Sequence, residues 1–122
     1  MSMPPQELKR NLNQFTGTEN YHRFSPLFRN TVLTDGALYL AEKAGAFWLM
    51  DMIASYLPGY KDVFASAKLI RSGEGGRFTL DDGNGSIFCT QDIEYSDFCL
   101  DEIMLFVAKQ EGLWVIMLPS EY

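Results

Sequence analysis

TDGALYLAEKAGAFWLMDMIASYL, Thr34 to Leu57, is apolar around most of its circumference when wound as a helix. Thr34 or Asp35 can cap its start, because either side chain accepts a hydrogen bond from a first-turn N–H. At about 100° per residue, Leu38, Ala41, Leu49, Met52, Ile53 and Tyr56 share one broad face, which Leu40, Ala44, Phe47 and Trp48 widen. A helix so broadly apolar is normally buried on more than one side, so this stretch predicts one long helix at the centre of the domain. Glu42, Lys43 and Asp51 interrupt it, and no uncharged run approaches the ~18 residues of a membrane span.

C-terminal to it, Pro58 and Gly59 form a stop signal and the apolar period shortens. Val63–Arg71, Arg77–Leu80 and Ser86–Tyr95 read as three strands, the third with Ile87, Cys89, Ile93 and Tyr95 on one face. Asp81–Gly85, DDGNG, supplies the positive-φ residues of a tight hairpin between the second and third. A calcium loop fails on register, because placing Gly85 at the loop's sixth position puts Leu80 where the first carboxylate must stand. Glu102–Val107 and Leu113–Leu118 are the last two strands, apolar on both faces, as in a sheet covered on two sides. The central helix can cover one side. The other calls for the N-terminal helix, the segment Tyr21–Leu27 or a second copy of the chain, and so suggests a homodimer.

N-terminal to the central stretch, residues 4–15 place Leu8, Leu12 and Phe15 on one stripe of a short amphipathic helix. Thr16–Asn20, TGTEN, is a loop signal, followed by the aromatic and basic cluster Tyr21–Phe24 and then irregular chain with room for one short strand. The expected architecture is α+β: an N-terminal helix and a long central helix packed on a four- to five-stranded antiparallel meander, in a single domain spanning residues 1–122.

The chain of 122 residues carries sixteen acids against ten bases, a formal charge of −6. That balance disfavours direct nucleic-acid binding, which needs basic groups against phosphates, and permits a basic protein partner. No basic-then-apolar leader opens the sequence, so a cytoplasmic setting, without membrane, is the expectation. Cys89 and Cys99 read as free thiols in a reducing compartment. One histidine, His22, excludes a multi-histidine metal site within one chain, and neither metal nor cofactor is expected. Walker, GxGxxG, HExxH and GxSxG signatures are all missing, which favours a non-enzymatic role.

Candidate pocket or interaction residues come from three places. Glu42 and Asp51 lie on the central helix, and Asp51 falls beside Phe47 and Trp48, where burial would favour its neutral form. Glu19, Tyr21, His22 and Arg23 belong to the densest polar segment, where His22 could shuttle protons, Glu19 or Asp51 orient it and Arg23 fix an anion. Phe98, in DFCLDEI, could anchor a partner. Each has a structural alternative: a hydrogen-bonded carboxylate, a surface or capping histidine, a core phenylalanine.

FTGTENYHR (Phe15–Arg23), TDGALYLAEKAGAFWLMDMIAS (Thr34–Ser55), DDGNG, QDIEYSDFCLDEI (Gln91–Ile103) and LPSEY (Leu118–Tyr122) together resemble an uncharacterised domain family of bacteria, plasmids and phages. The resemblance implies a cytoplasmic accessory protein of a mobile element and carries over no catalytic residue. With the acidic balance, it leads to the expectation of a protein that acts by binding an unidentified protein partner, in one version by covering a basic nucleic-acid-binding surface. The alternative is a small-molecule-binding domain or minor enzyme with a pocket around His22 and Asp51.

Overall fold

The structure, a computed structural model, describes residues 4–122. Three helices, α1 (Pro5–Leu12), α2 (Asp35–Lys43) and α3 (Phe47–Tyr56), accompany seven strands: β1 (His22–Arg23), β2 (Thr31–Leu33), β3 (Phe64–Ser72), β4 (Gly75–Asp81), β5 (Ile87–Ile93), β6 (Glu102–Gln110) and β7 (Leu113–Met117). The fold is α+β, with a sheet larger than the expected four or five strands.

The stretch expected as one long helix is two helices. Gly45 takes φ 62°, and the Ala46 N–H reaches back to the Ala41 carbonyl at 2.8 Å, which closes α2 with a left-handed glycine turn. This break also explains the broad apolar circumference. α2 buries Ala37, Leu40 and Ala41, while α3 buries Leu49, Met50, Ile53 and Ala54, so each helix needs only one apolar side once the chain changes direction. Glu42, Lys43 and Asp51 are exposed.

The strand order is β1-β2-β7-β6-β3-β4-β5. All neighbours are antiparallel except β2 and β7, which pair Thr31–Leu33 in parallel with Trp114–Ile116. β2 falls in the irregular stretch that had room for one short strand, and β1 in the Tyr21–Phe24 cluster, where no strand was expected. They are two and three residues long and all of β2 is buried, so neither displays the alternation that betrays a strand. Nor is the sheet a simple meander. β3, β4 and β5 follow as hairpins, but β6 returns to pair with β3 on its far side. The returning segment buries Phe98 and Leu100 in the main core. It is held by the Arg71 guanidinium, which donates to the Phe98 carbonyl, and by the Arg71 N–H to Asp101 O at 2.7 Å.

Both expected covers lie on one face. Leu8 and Leu12 of α1 join the same core as α2, α3, Leu33, Leu69, Phe78, Leu105 and Ile116, and Phe15 packs against Tyr39 with ring centres 5.3 Å apart. On the opposite face Val32, Ala108, Val115 and Met117 form a second cluster beside Phe64 and Phe106. There the chain supplies its own C-terminal cover: the Tyr122 ring meets Phe64 and Phe106 edge-on at 5.3 and 5.5 Å. The DDGNG hairpin forms as expected. Gly83 and Gly85 have φ 86° and 98°, and the Asp82 carboxylate accepts from the N–H groups of Asn84 and Ser86. Those two bonds hold the Asp82 carboxyl below its ordinary pKa.

Candidate functional site

Three separated segments meet at the start of α2. A helix leaves its first four N–H groups without intrahelical partners, and here the chain itself satisfies all four. The Thr34 N–H donates to Ile116 O at 3.0 Å. That of Asp35 donates to the Thr18 hydroxyl at 2.8 Å, that of Gly36 to Glu121 Oε2 at 3.0 Å, and that of Ala37 to the Thr34 hydroxyl at 3.2 Å. Glu121 is therefore the anion at a helix N-terminus, where the helix dipole favours negative charge. Its Oε1 also accepts from the Thr34 hydroxyl at 2.6 Å and from the Leu118 N–H at 3.0 Å. Gly36 is required by this closeness, because a Cβ there would stand 2.4 Å from Glu121 Oε1 and 2.6 Å from Leu118 Cδ1.

Asp35 extends the clasp outward. Its Oδ2 accepts from the Glu19 N–H at 3.0 Å, and its Oδ1 lies 2.7 Å from His22 Nε2. An ionised carboxylate only accepts, so His22 presents Nε2 as N–H. The bond from His22, followed by that from Glu19, lowers the Asp35 pKa from its ordinary 3.8. Each of the two side chains is 30% exposed. His22 reaches this place because it sits opposite Leu33 in the β1–β2 pair, which turns it to the helix-covered face.

The remaining candidates disperse. Glu19 contributes its backbone N–H to the clasp while its residue stays exposed. Tyr21 donates its hydroxyl to Gln110 Oε1 at 2.8 Å, and the Arg23 guanidinium donates to Arg29 O at 2.6 Å. Glu42 and Asp51 stand exposed on α2 and α3, so the carboxylate expected against Phe47 and Trp48 is absent and Asp51 does not orient His22. Phe98 is 3% exposed and meets Trp48 edge-to-face at 6.4 Å; it is a core residue. Among the described residues no group of three or more His, Cys, Asp or Glu side chains is placed to hold a metal ion, and no helix is long and apolar enough to cross a membrane.

Sequence reasoning passed over Thr18, Gly36 and Glu121 as site residues and considered Asp35 only as a cap. Their signal was the joint presence of TGTEN, TDG and LPSEY, three short segments that gain meaning once they converge. The hydrogen-bonding capacity of the clasp is turned inward, and what it does chemically is hold β1, α2 and the C-terminal turn together.

A second region is open. β5 is an edge strand, with Ile87 62% and Phe88 42% exposed and Tyr95, just beyond it, 74%. A depression of about 470 Å³ lies along its C-terminal half, walled by Trp48, Met52 and Tyr95 and rimmed by Asp92, Glu94 and Asp97. Another of about 500 Å³ lies at its start, between Tyr60, Phe88, Ile87, Asp62, Asp82 and Lys61. Residues 78–108 contain seven carboxylates (Asp81, Asp82, Asp92, Glu94, Asp97, Asp101 and Glu102) and no lysine, arginine or histidine, while the remainder holds nine acids against ten bases. The segment thus carries −7 and the rest +1, which is the whole formal charge of −6.

Comparison with solved structures finds a protein of unknown function from Enterococcus faecalis, at TM-score 0.58 and 15% identity, covering 84% of this chain and 98% of that one. At that identity the likeness is one of fold. Comparison with curated proteins gives no match. The model of a family of unknown function, DUF6876, matches residues 6–122, and the chain belongs to that family.

Proposed function

We propose that the protein is an accessory protein of a mobile element that acts in the cytoplasm by binding a basic surface of a protein partner. The observation that carries this reading is the segregation of charge: the net negative charge lies in residues 78–108, the part of the chain that forms the open sheet edge and the segment leading from it. A dispersed acidic surface serves solubility, whereas one-sided charge creates a field that steers an oppositely charged partner. The likeness of its sequence segments to proteins of plasmids and phages supports the mobile-element setting. A basic surface that otherwise holds nucleic acid would be recognised by the same charge.

The test is retention of host proteins on the tagged chain, with and without nuclease, across rising salt. A basic protein retained after nuclease treatment and released as salt approaches about 1 M, where screening shortens to ~3 Å, supports the reading. Asp101→Lys with Glu102→Lys should weaken that retention. These two residues are exposed, whereas Asp81 is 8% exposed and holds the Gly83 N–H, so reversing Asp81 would disturb the hairpin as well. Retention that ignores both salt and charge reversal overturns the proposal.

A further inference from the structure

We infer that the outer edge of β5 takes a basic, extended peptide segment as an eighth strand of the sheet; this rests on the interaction reading above and names its mode. An edge strand turns the N–H and C=O of every second residue away from its sheet partner, a template for one more strand. β5 offers seven residues, Ile87–Ile93. It contains neither lysine nor proline, and its one irregularity is a bulge at Phe88, near its start, where the register with β4 shifts. At the opposite edge, β1 has two residues and the Arg23 guanidinium, too short to template a partner.

Charge selects the occupant. Asp92 is the one charged side chain within β5, and Glu94 and Asp97 follow it closely, so the acids gathered at the C-terminal end of the strand complement a basic segment. Gln91, opposite the buried Phe78, shares the α3 side of the sheet, whereas Asp92, opposite Arg77, faces away from it. A basic segment along the edge would meet Asp92 on one face and, on the other, Trp48 and Tyr95 as apolar walls for the stems of long cationic side chains. Arg77 holds Asp92 through its Nε at 2.8 Å and Arg71 lines the same stretch as Asp92 and Glu94, but the Arg77 and Asp92 side chains are largely exposed and the acids Glu74, Asp92, Glu94 and Asp97 outnumber the two arginines there.

The test uses the full chain and three fluorescein-labelled octapeptides. One alternates lysine and threonine, one is the same peptide with every backbone nitrogen methylated, and one has glutamate in place of lysine. The expected result is binding of the first by fluorescence anisotropy, with amide shifts in NMR spectra concentrated in Ile87–Ile93. Binding of the methylated peptide should be at least about ten-fold weaker, because the backbone hydrogen bonds are lost, and the glutamate peptide should not bind. Equal, salt-sensitive binding of both lysine peptides overturns strand addition and leaves the acidic interaction reading intact. Failure of the unmethylated lysine peptide to bind, while a salt-sensitive partner is still retained from lysate, also overturns strand addition alone; failure of both tests overturns both. Sedimentation of the chain alone that reveals a dimer lost in Ile87→Lys would assign the edge to a second copy and likewise overturn the inference.

Discussion

The start of α2 and the edge of β5 use polar groups in opposite ways. At α2, Thr18 and Glu121, from two distant segments, accept from helix N–H groups, and the Asp35 carboxylate accepts from the Glu19 N–H and from His22. At β5, acids accumulate along an edge where backbone groups and aromatic rings face outward. Dense polar residues in a sequence can therefore mark a closed structural joint, and the open surface is better marked by charge imbalance over a longer window. The contrast predicts that changes at the clasp cost stability, and that changes at the edge cost binding.

Glu121→Ala should have the largest effect. It leaves the Gly36 and Leu118 N–H groups without their acceptor and the Thr34 hydroxyl with only the long bond to Ile116 O at 3.4 Å, and Thr34 is 2% exposed. A loss of about 2–4 kcal/mol is expected, read as a fall in thermal midpoint of roughly 10 °C or more. A midpoint within a degree or two of the parent would mean that the clasp is not a structural joint. Gly36→Ala comes next, at about 1–3 kcal/mol, because its Cβ collides with a Glu121 side chain that is itself pinned. In the Glu121→Ala background the same change should be milder, and a double-mutant cycle would reveal that coupling.

The clasp shows what the sequence could and could not convey. The capping role of Thr34 was legible because its spacing to the first turn is local. So were the five strands from β3 to β7, within a residue or two at most ends, and the DDGNG hairpin, whose glycines sit where positive φ is needed. The break at Gly45 was hidden because an apolar run looks alike whether one helix is buried on two sides or two helices are each buried on one. The convergence of His22 on Asp35 and of Glu121 on Thr34 and Gly36 was hidden for a different reason: it depends on the parallel β2–β7 pair, a contact between residues about eighty positions apart. The burial of Phe98 depends likewise on the return of the chain from β5 to β6.

Asp35→Asn should have a smaller effect than either change above, with a pH dependence of defined sign. The folded-state pKa of Asp35 lies below its ordinary 3.8, first through His22 and then through the Glu19 N–H. Its contribution to stability is therefore fully present above 3.8 and is lost as pH falls through the lowered value. The midpoint difference between parent and Asp35→Asn should be widest near neutrality and close in strong acid. A difference that widens as pH falls would contradict the hydrogen-bonded carboxylate.

Glu94→Lys combined with Asp97→Lys should change stability least and binding most. Both residues are exposed, and neither carboxylate contributes to the clasp, so the melting curve should stay close to that of the parent. The field along the β5 depression would nevertheless reverse, since two of the three acids on its rim become cationic. Affinity for the lysine–threonine octapeptide should then fall by at least about ten-fold at low ionic strength and by less at high salt, where exposed charges are screened. Glu42→Lys is the matched control, because it changes net charge at an exposed position of α2, which packs against α1, α3, β2 and β7. If it weakens binding as much per unit charge, the chain acts through its total charge and the placement of residues 78–108 is incidental; if it does not, the strand edge is where recognition occurs.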